Sequence, residues 1–304
     1  MPQRPFLFIF FFLLVAISLA GCSLLTPFQP KQVNPPTTSP TAVTAEPSGT
    51  APFTPPPPVP TIFVPTSALP GYSLYLTGQQ QLGRYMIRLF HGSNPDFPWD
   101  NTVTIAATGE SPVTIDMVSS VDFTAADITG EGNPDVIIQR YTGGAHCCFQ
   151  TLIYDVGSSL TPVLTTPISN CSGQLVDISG DGMPEFLTCD DSFGYTFCAF
   201  AGSPMPKVLL QHQPGRGFVP ASSSYPEQYA DAIVRDRLTA ENASQNSSPE
   251  EVRCAVLHLV LDYLYSGQQE EGWAALEQYY PLDDLDDFRQ EIESILMDSP
   301  YFQQ

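Results

Sequence analysis

The chain has 304 residues, with 32 Asp and Glu against 11 Lys and Arg and a formal net charge of −21. Charge of that sign repels polyphosphate backbones and anionic bilayers, which argues against nucleic acid or a membrane-hugging surface as a partner. It suits instead a domain that stands off from the membrane and tolerates, or uses, cations.

The N-terminus reads as an export signal. Arg4 supplies a short positive start, Phe6 to Ile17 is an almost unbroken apolar run, and Leu19-Ala20-Gly21-Cys22 follows. Small residues ahead of a cysteine resemble the lipobox cut by the lipoprotein signal peptidase, and the Cys22 thiol is the group that takes the lipid. An uncleaved membrane-spanning anchor is the alternative, but the apolar run falls short of the roughly 20 residues that a spanning helix needs. Residues 1–21 are therefore expected to be a signal peptide, and Cys22 the attachment to a cell-envelope membrane, facing outside the cytoplasm. Stable anchoring takes more than one acyl chain.

Residues 22–70 form a Pro/Thr-rich stalk that includes Pro55-Pro56-Pro57-Pro58. Proline fixes φ and removes a backbone donor, so neither helix nor sheet interior is expected here. At roughly 3.1 Å per residue such a segment can hold a domain up to on the order of 100 Å from the lipid.

From 71 to 220 the pattern is mainly β. Arg84–Phe90, Thr102–Ile105 and Val113–Met117 are short, rich in β-branched and aromatic residues, and separated by Gly, Asn and Pro. An internal repeat sharpens the reading. Asp127-Ile-Thr-Gly-Glu-Gly-Asn-Pro-Asp135 recurs as Asp177-Ile-Ser-Gly-Asp-Gly-Met-Pro-Glu185, each followed by an apolar strand and a Gly-containing turn. Cys148 and Cys198 fall at matching offsets. A period of about 50 residues belongs with blade-like arrays.

Such a loop can present alternate side chains and one carbonyl to a single point, and calcium takes about six to eight oxygen ligands. The candidate ligands are Asp127, Thr129, Glu131, the carbonyl of Asn133 and Asp135, and then Asp177, Ser179, Asp181, the carbonyl of Met183 and Glu185. Asp181 makes the second loop the stronger by composition. Gly130, Gly132, Gly180 and Gly182 would supply the positive φ values that the wrapping requires. The alternative is a closed turn in which Asp127 and Asp177 accept from backbone amides.

These loops resemble FG-GAP/VCBS-type repeats, the calcium-loop repeats of integrin α-subunit propellers and of many bacterial surface proteins. The string Thr142-Gly-Gly-Ala-His-Cys-Cys-Phe149 resembles one found in uncharacterised bacterial envelope proteins that carry such repeats. The resemblance covers about 121–211. It implies calcium and blade-like sheets; with room for about three blades, a small open β array or sandwich is expected rather than a closed propeller.

Six cysteines besides Cys22 fit an oxidising compartment. Cys189 and Cys198 flank the turn Asp190–Tyr195 and are candidates to face each other across a hairpin. Cys147 and Cys148 either seek separate partners or join as a vicinal disulfide that Gly143-Gly144 could accommodate, and Cys171 is a further disulfide candidate. Cys254, in an apolar helical run, reads as a buried thiol. Without paired Cys-x-x-Cys spacing a zinc site is not expected.

The remainder, 221–304, is helical. Tyr229–Leu238 has helical spacing, and Ser248-Pro-Glu-Glu251 is a capping box opening a helix to Ser266. Gly267 closes it, Gln268–Tyr280 follows, and a last helix runs from Asp283-Asp284 to Met297. Leu259 to Ala274 resembles a single tetratricopeptide unit, which cannot bury its own apolar face and so must pack on the β region or its neighbours.

Two functions follow. The first is a lipid-anchored, non-catalytic binding or envelope-organising module, calcium-stabilised, that meets a protein or glycan. The second is an envelope hydrolase or thiol enzyme, for which His146 beside Cys147 and Cys148 is the sequence hint. Gly-x-Ser-x-Gly, His-Glu-x-x-His and phosphate-cradling loops are all absent from the sequence.

Overall fold

A computed structural model describes residues 63–303, apart from 98, 99, 123, 125, 145 and 146. The signal peptide, Cys22, most of the stalk and His146 lie outside the described residues.

Among the described residues twelve strands make three four-stranded antiparallel sheets, each a meander of consecutive strands. The first sheet holds β1 (Leu74–Leu82), β2 (Tyr85–Gly92), β3 (Asn101–Ala107) and β4 (Val113–Ile115). The second holds β5 (Val118–Asp122), β6 (Asp135–Tyr141), β7 (Phe149–Val156) and β8 (Leu160–Thr165). The third holds β9 (Gln174–Val176), β10 (Glu185–Cys189), β11 (Lys207–Gln213) and β12 (Gly217–Pro220). The expected mainly β array is therefore what the chain forms, and the two acidic loops fall in the second and third sheets.

Strand alternation explains how the sheets stack. Successive side chains point to opposite faces, and in β7 Leu152 joins a cluster with Ile87, Val103 and Ile105 of the first sheet. Its neighbour Ile153 joins Phe186, Val208, Leu210 and Phe218 of the third. The second sheet is thus buried on both faces.

Four helices follow: α1 (Ala230–Asn246), α2 (Pro249–Tyr265), α3 (Gln269–Tyr279) and α4 (Leu285–Asp298). The capping box forms as expected, Ser248 accepting from the Glu251 amide while the Glu251 carboxylate accepts from the Ser248 amide. α2 is apolar nearly all round, which marks a helix enclosed by its neighbours; Val256, Leu257, Leu259, Val260 and Leu261 are all fully buried. These residues share one core with the third sheet. The described residues fall in one compact unit, and the composition change near 220 marks the passage from strands to helices. Among the described residues no helix is long and apolar enough to cross a membrane.

Candidate functional site

The two acidic loops lie between the first and second strands of the second and third sheets, and they close in the same way. Asp127 accepts from the amides of Gly130 (2.7 Å) and Gly132 (2.9 Å), and Asp177 from those of Gly180 (2.8 Å) and Gly182 (3.1 Å). These four glycines have φ between 72° and 90°, a region costly to any residue with a Cβ. The ninth residue closes the other side: Asp135 Oδ2 accepts from the amides of Ile128 and Thr129 and from the Thr129 hydroxyl. Glu185 Oε2 accepts from the amides of Ile178 and Ser179.

The loops differ in the remaining oxygen. Glu185 Oε1 accepts from the Tyr225 hydroxyl at 2.8 Å. Burial opposes the Glu185 charge, yet the bonds from Ile178, Tyr225 and Ser179 outweigh it and hold the carboxyl below its ordinary range. Asp135 Oδ1 is buried with no hydrogen-bond partner. Burial, with the charge of its cross-strand neighbour Asp155, pushes Asp135 up to about 6. Glu131 turns toward His212 (3.6 Å), Asn133 donates to Asp155, and Asp181 accepts from the Met183 amide. Among the described residues no group of three or more His, Cys, Asp or Glu gathers around a point.

Three disulfides join Cys147 to Cys148, Cys171 to Cys189 and Cys198 to Cys254. The expected Cys189–Cys198 pairing is not formed. In the β10–β11 register Cys189 lies opposite Lys207, because the chain from Asp190 to Pro206 leaves the sheet before β11 begins. Cys198, on that excursion, reaches α2 and bonds Cys254, which is therefore not a free thiol. The excursion also breaks the match with Cys148, which sits one residue before β7. Disulfides of this number mark a protein made for an oxidising compartment.

One concave feature was not evident in the sequence. A cleft of about 550 Å³ opens between α1, α2 and the start of β11, lined by Lys207, Glu227, Asp231, Arg235, Asp236, His258 and Asp262 among others. Lys207 Nζ donates to the Gln228 carbonyl at 2.7 Å and lies over the Tyr229 ring, whose hydroxyl returns a bond to the Lys207 carbonyl. Arg235 grips both oxygens of Asp236 (2.8 and 3.0 Å). Asp262, only 8% exposed, faces Asp236 from α2, and its Oδ2 accepts no hydrogen bond. Burial first, and then the bond to and charge of Asp236, push the Asp262 carboxyl up to about 8. A signal for both acids is present in the sequence. Asp236 falls on the buried stripe Ile233, Asp236, Ala240, Ala243, and Asp262 interrupts an otherwise apolar run.

No family model matches the chain, and no solved structure matches it. Over 200 residues, 60% of this chain and 56% of the relative, it is 26% identical to a probable thylakoid lumen protein of Synechocystis sp.. Over 77 residues it is 35% identical to an uncharacterised protein of Sinorhizobium fredii, covering 25% of this chain and 12% of that protein. The chain thus spans little more than half of the first relative's length and a small part of the second's.

Proposed function

We propose that this protein is a membrane-anchored extracytoplasmic lipoprotein, lipidated at Cys22, whose folded part is a non-catalytic binding or envelope-organising module. The observation that carries the binding role is the cleft between α1, α2 and β11. Inside it Arg235 pairs with Asp236 and Lys207 donates to the Gln228 carbonyl, while exposed Glu227 and Asp231 at its rim are left to meet a partner. Such a rim favours a protein or glycan that presents cationic or hydroxyl groups. The three disulfides and the lumenal relative support an address beyond the cytoplasm. Kinship with FG-GAP/VCBS repeats belongs to the same reading, supported by the matching closure of the two loops.

Calcium is part of the proposal, and the first loop is the place for it, because Asp135 Oδ1 is the one loop carboxylate oxygen left buried and unpartnered. Calorimetric titration of calcium into the protein should then give saturable heat that Asp135→Asn abolishes; absence of heat would make both loops simple closed turns. The binding role is tested by retention of the full chain on arrays of cationic peptides and neutral glycans. Binding lost in Asp231→Lys supports the module; identical binding by the variant removes the cleft from it.

A second reading, an envelope hydrolase, is favoured by one observation. Two buried carboxyl groups, Asp236 and Asp262, line one cleft, and paired carboxyl groups are the equipment of general acid–base chemistry. Turnover of model peptide, ester or glycoside substrates, lost in Asp262→Asn, would move the assignment there.

A further inference from the structure

The Cys147–Cys148 disulfide differs from the other two in what it does for the fold. Cys171–Cys189 and Cys198–Cys254 close loops with sequence separations of 18 and 56, and cross-links of that kind restrict the unfolded chain. A bond between adjacent residues closes no such loop, so the fold gains little chain-entropy stabilisation from it. Its surroundings are nevertheless specifically built. A Cβ at Gly144 would stand 3.0 Å from Cys147 Sγ and 2.9 Å from Cys148 Sγ, so only glycine lets the two sulfurs sit where they do. Tyr141 donates to the Gly144 carbonyl at 2.6 Å, and its ring packs on Phe149 with centroids 5.0 Å apart. The Cys148 amide donates to the Ser169 carbonyl.

Two asymmetries give the bond a direction. Cys147 is exposed and Cys148 is 7% exposed. Cys148 also holds φ at 100°, a region that L-residues rarely occupy and that clusters at functional sites. Exposed or strained disulfides are the ones that exchange.

We infer that the Cys147–Cys148 pair is a thiol–disulfide exchange site that accepts two electrons from an extracytoplasmic dithiol. The partner's thiolate attacks Cys147 Sγ, the Cys147–Cys148 bond breaks, and Cys148 leaves as a thiolate that takes up a proton. The partner's second thiolate then attacks its own sulfur in the mixed disulfide. This frees Cys147 as a thiol and leaves the partner oxidised.

The test is graded reduction of the full chain with dithiothreitol, followed by alkylation and peptide mass analysis. Cys147 and Cys148 should be labelled at a dithiol concentration at least about tenfold below that which opens the other two pairs, with near-ultraviolet dichroism unchanged. Single variants separate direction from mere lability. With glutathione disulfide as probe, Cys147 in Cys148→Ser should form the mixed disulfide, and Cys148 in Cys147→Ser should not. Parallel opening of all three pairs, or opening of Cys147–Cys148 last, would overturn the inference. So would reaction at Cys148 rather than Cys147.

Discussion

Replacing Asp262 by Asn tests the carboxyl pair at the floor of the cleft. The substitution keeps shape and provides a permanent N–H donor toward Asp236, where the native side chain must hold a proton to do the same. The Asp262 carboxyl is raised from 3.8 to about 8 by folding. A raised carboxyl contributes stability that is fully present below the unfolded value and is lost as pH rises through the folded one. Inside that window the loss is about 1.4 kcal/mol per pH unit for each proton. Between about pH 5.5 and 7.5 the native protein should therefore lose up to about 2.7 kcal/mol that the variant keeps. The carboxylate of Asp236 beside it lowers the expected difference to about 1–2.5 kcal/mol. For a unit of this size that is a gap of about 3–8 °C in Tm, absent at the acid end and opening toward neutral pH. Urea unfolding of both proteins at several pH values measures it. A difference that does not change with pH, or a variant that loses ground as pH rises, would refute the raised Asp262 carboxyl.

Two further outcomes follow from the packing. Tyr225→Phe removes the hydroxyl from which Glu185 Oε1 accepts, inside the buried surroundings of that carboxylate. Chemical denaturation should show a loss of about 1.5–3 kcal/mol, and a loss below about 0.5 kcal/mol would mean that water replaces the hydroxyl. Gly173→Ala would place a Cβ 1.9 Å from Cζ of Phe186, a ring that is 1% exposed and central to the shared core. Calorimetry should record destabilisation of about 1–3 kcal/mol, and an unchanged Tm would place Phe186 elsewhere.

Much of the architecture was legible because its determinants are local. The spacing of glycines at 130, 132, 180 and 182 announces positive φ and hence the loops, and the Ser248–Glu251 box announces the start of α2. The repeat offset marks the two acidic loops, which fall in the second and third sheets. What the sequence did not reveal depends on contacts between distant segments. Cys198 finds Cys254 only because residues 190–206 leave the sheet and reach a helix that arrives 56 residues later. That excursion is anchored by Asp190, which accepts from Tyr265 on α2 and from Ser299 beyond α4, partners that no local pattern indicates. Tyr225, which satisfies Glu185 Oε1, is equally remote in the sequence, and Asp135 Oδ1 has no such partner. The cleft acids were visible as polar residues in apolar stripes, but only the packing of α1 on α2 brings Asp236 and Asp262 together.

The central claim is a lipid-anchored protein displayed outside the cytoplasm, and intact mass measurement of the protein from the membrane fraction tests it most directly. The account predicts a chain that begins at Cys22, lacks residues 1–21 and carries the mass of a diacylglycerol plus further acyl groups. Cys22→Ser should leave the chain unlipidated. A membrane protein that retains residues 1–21 with an unmodified Cys22 would contradict it.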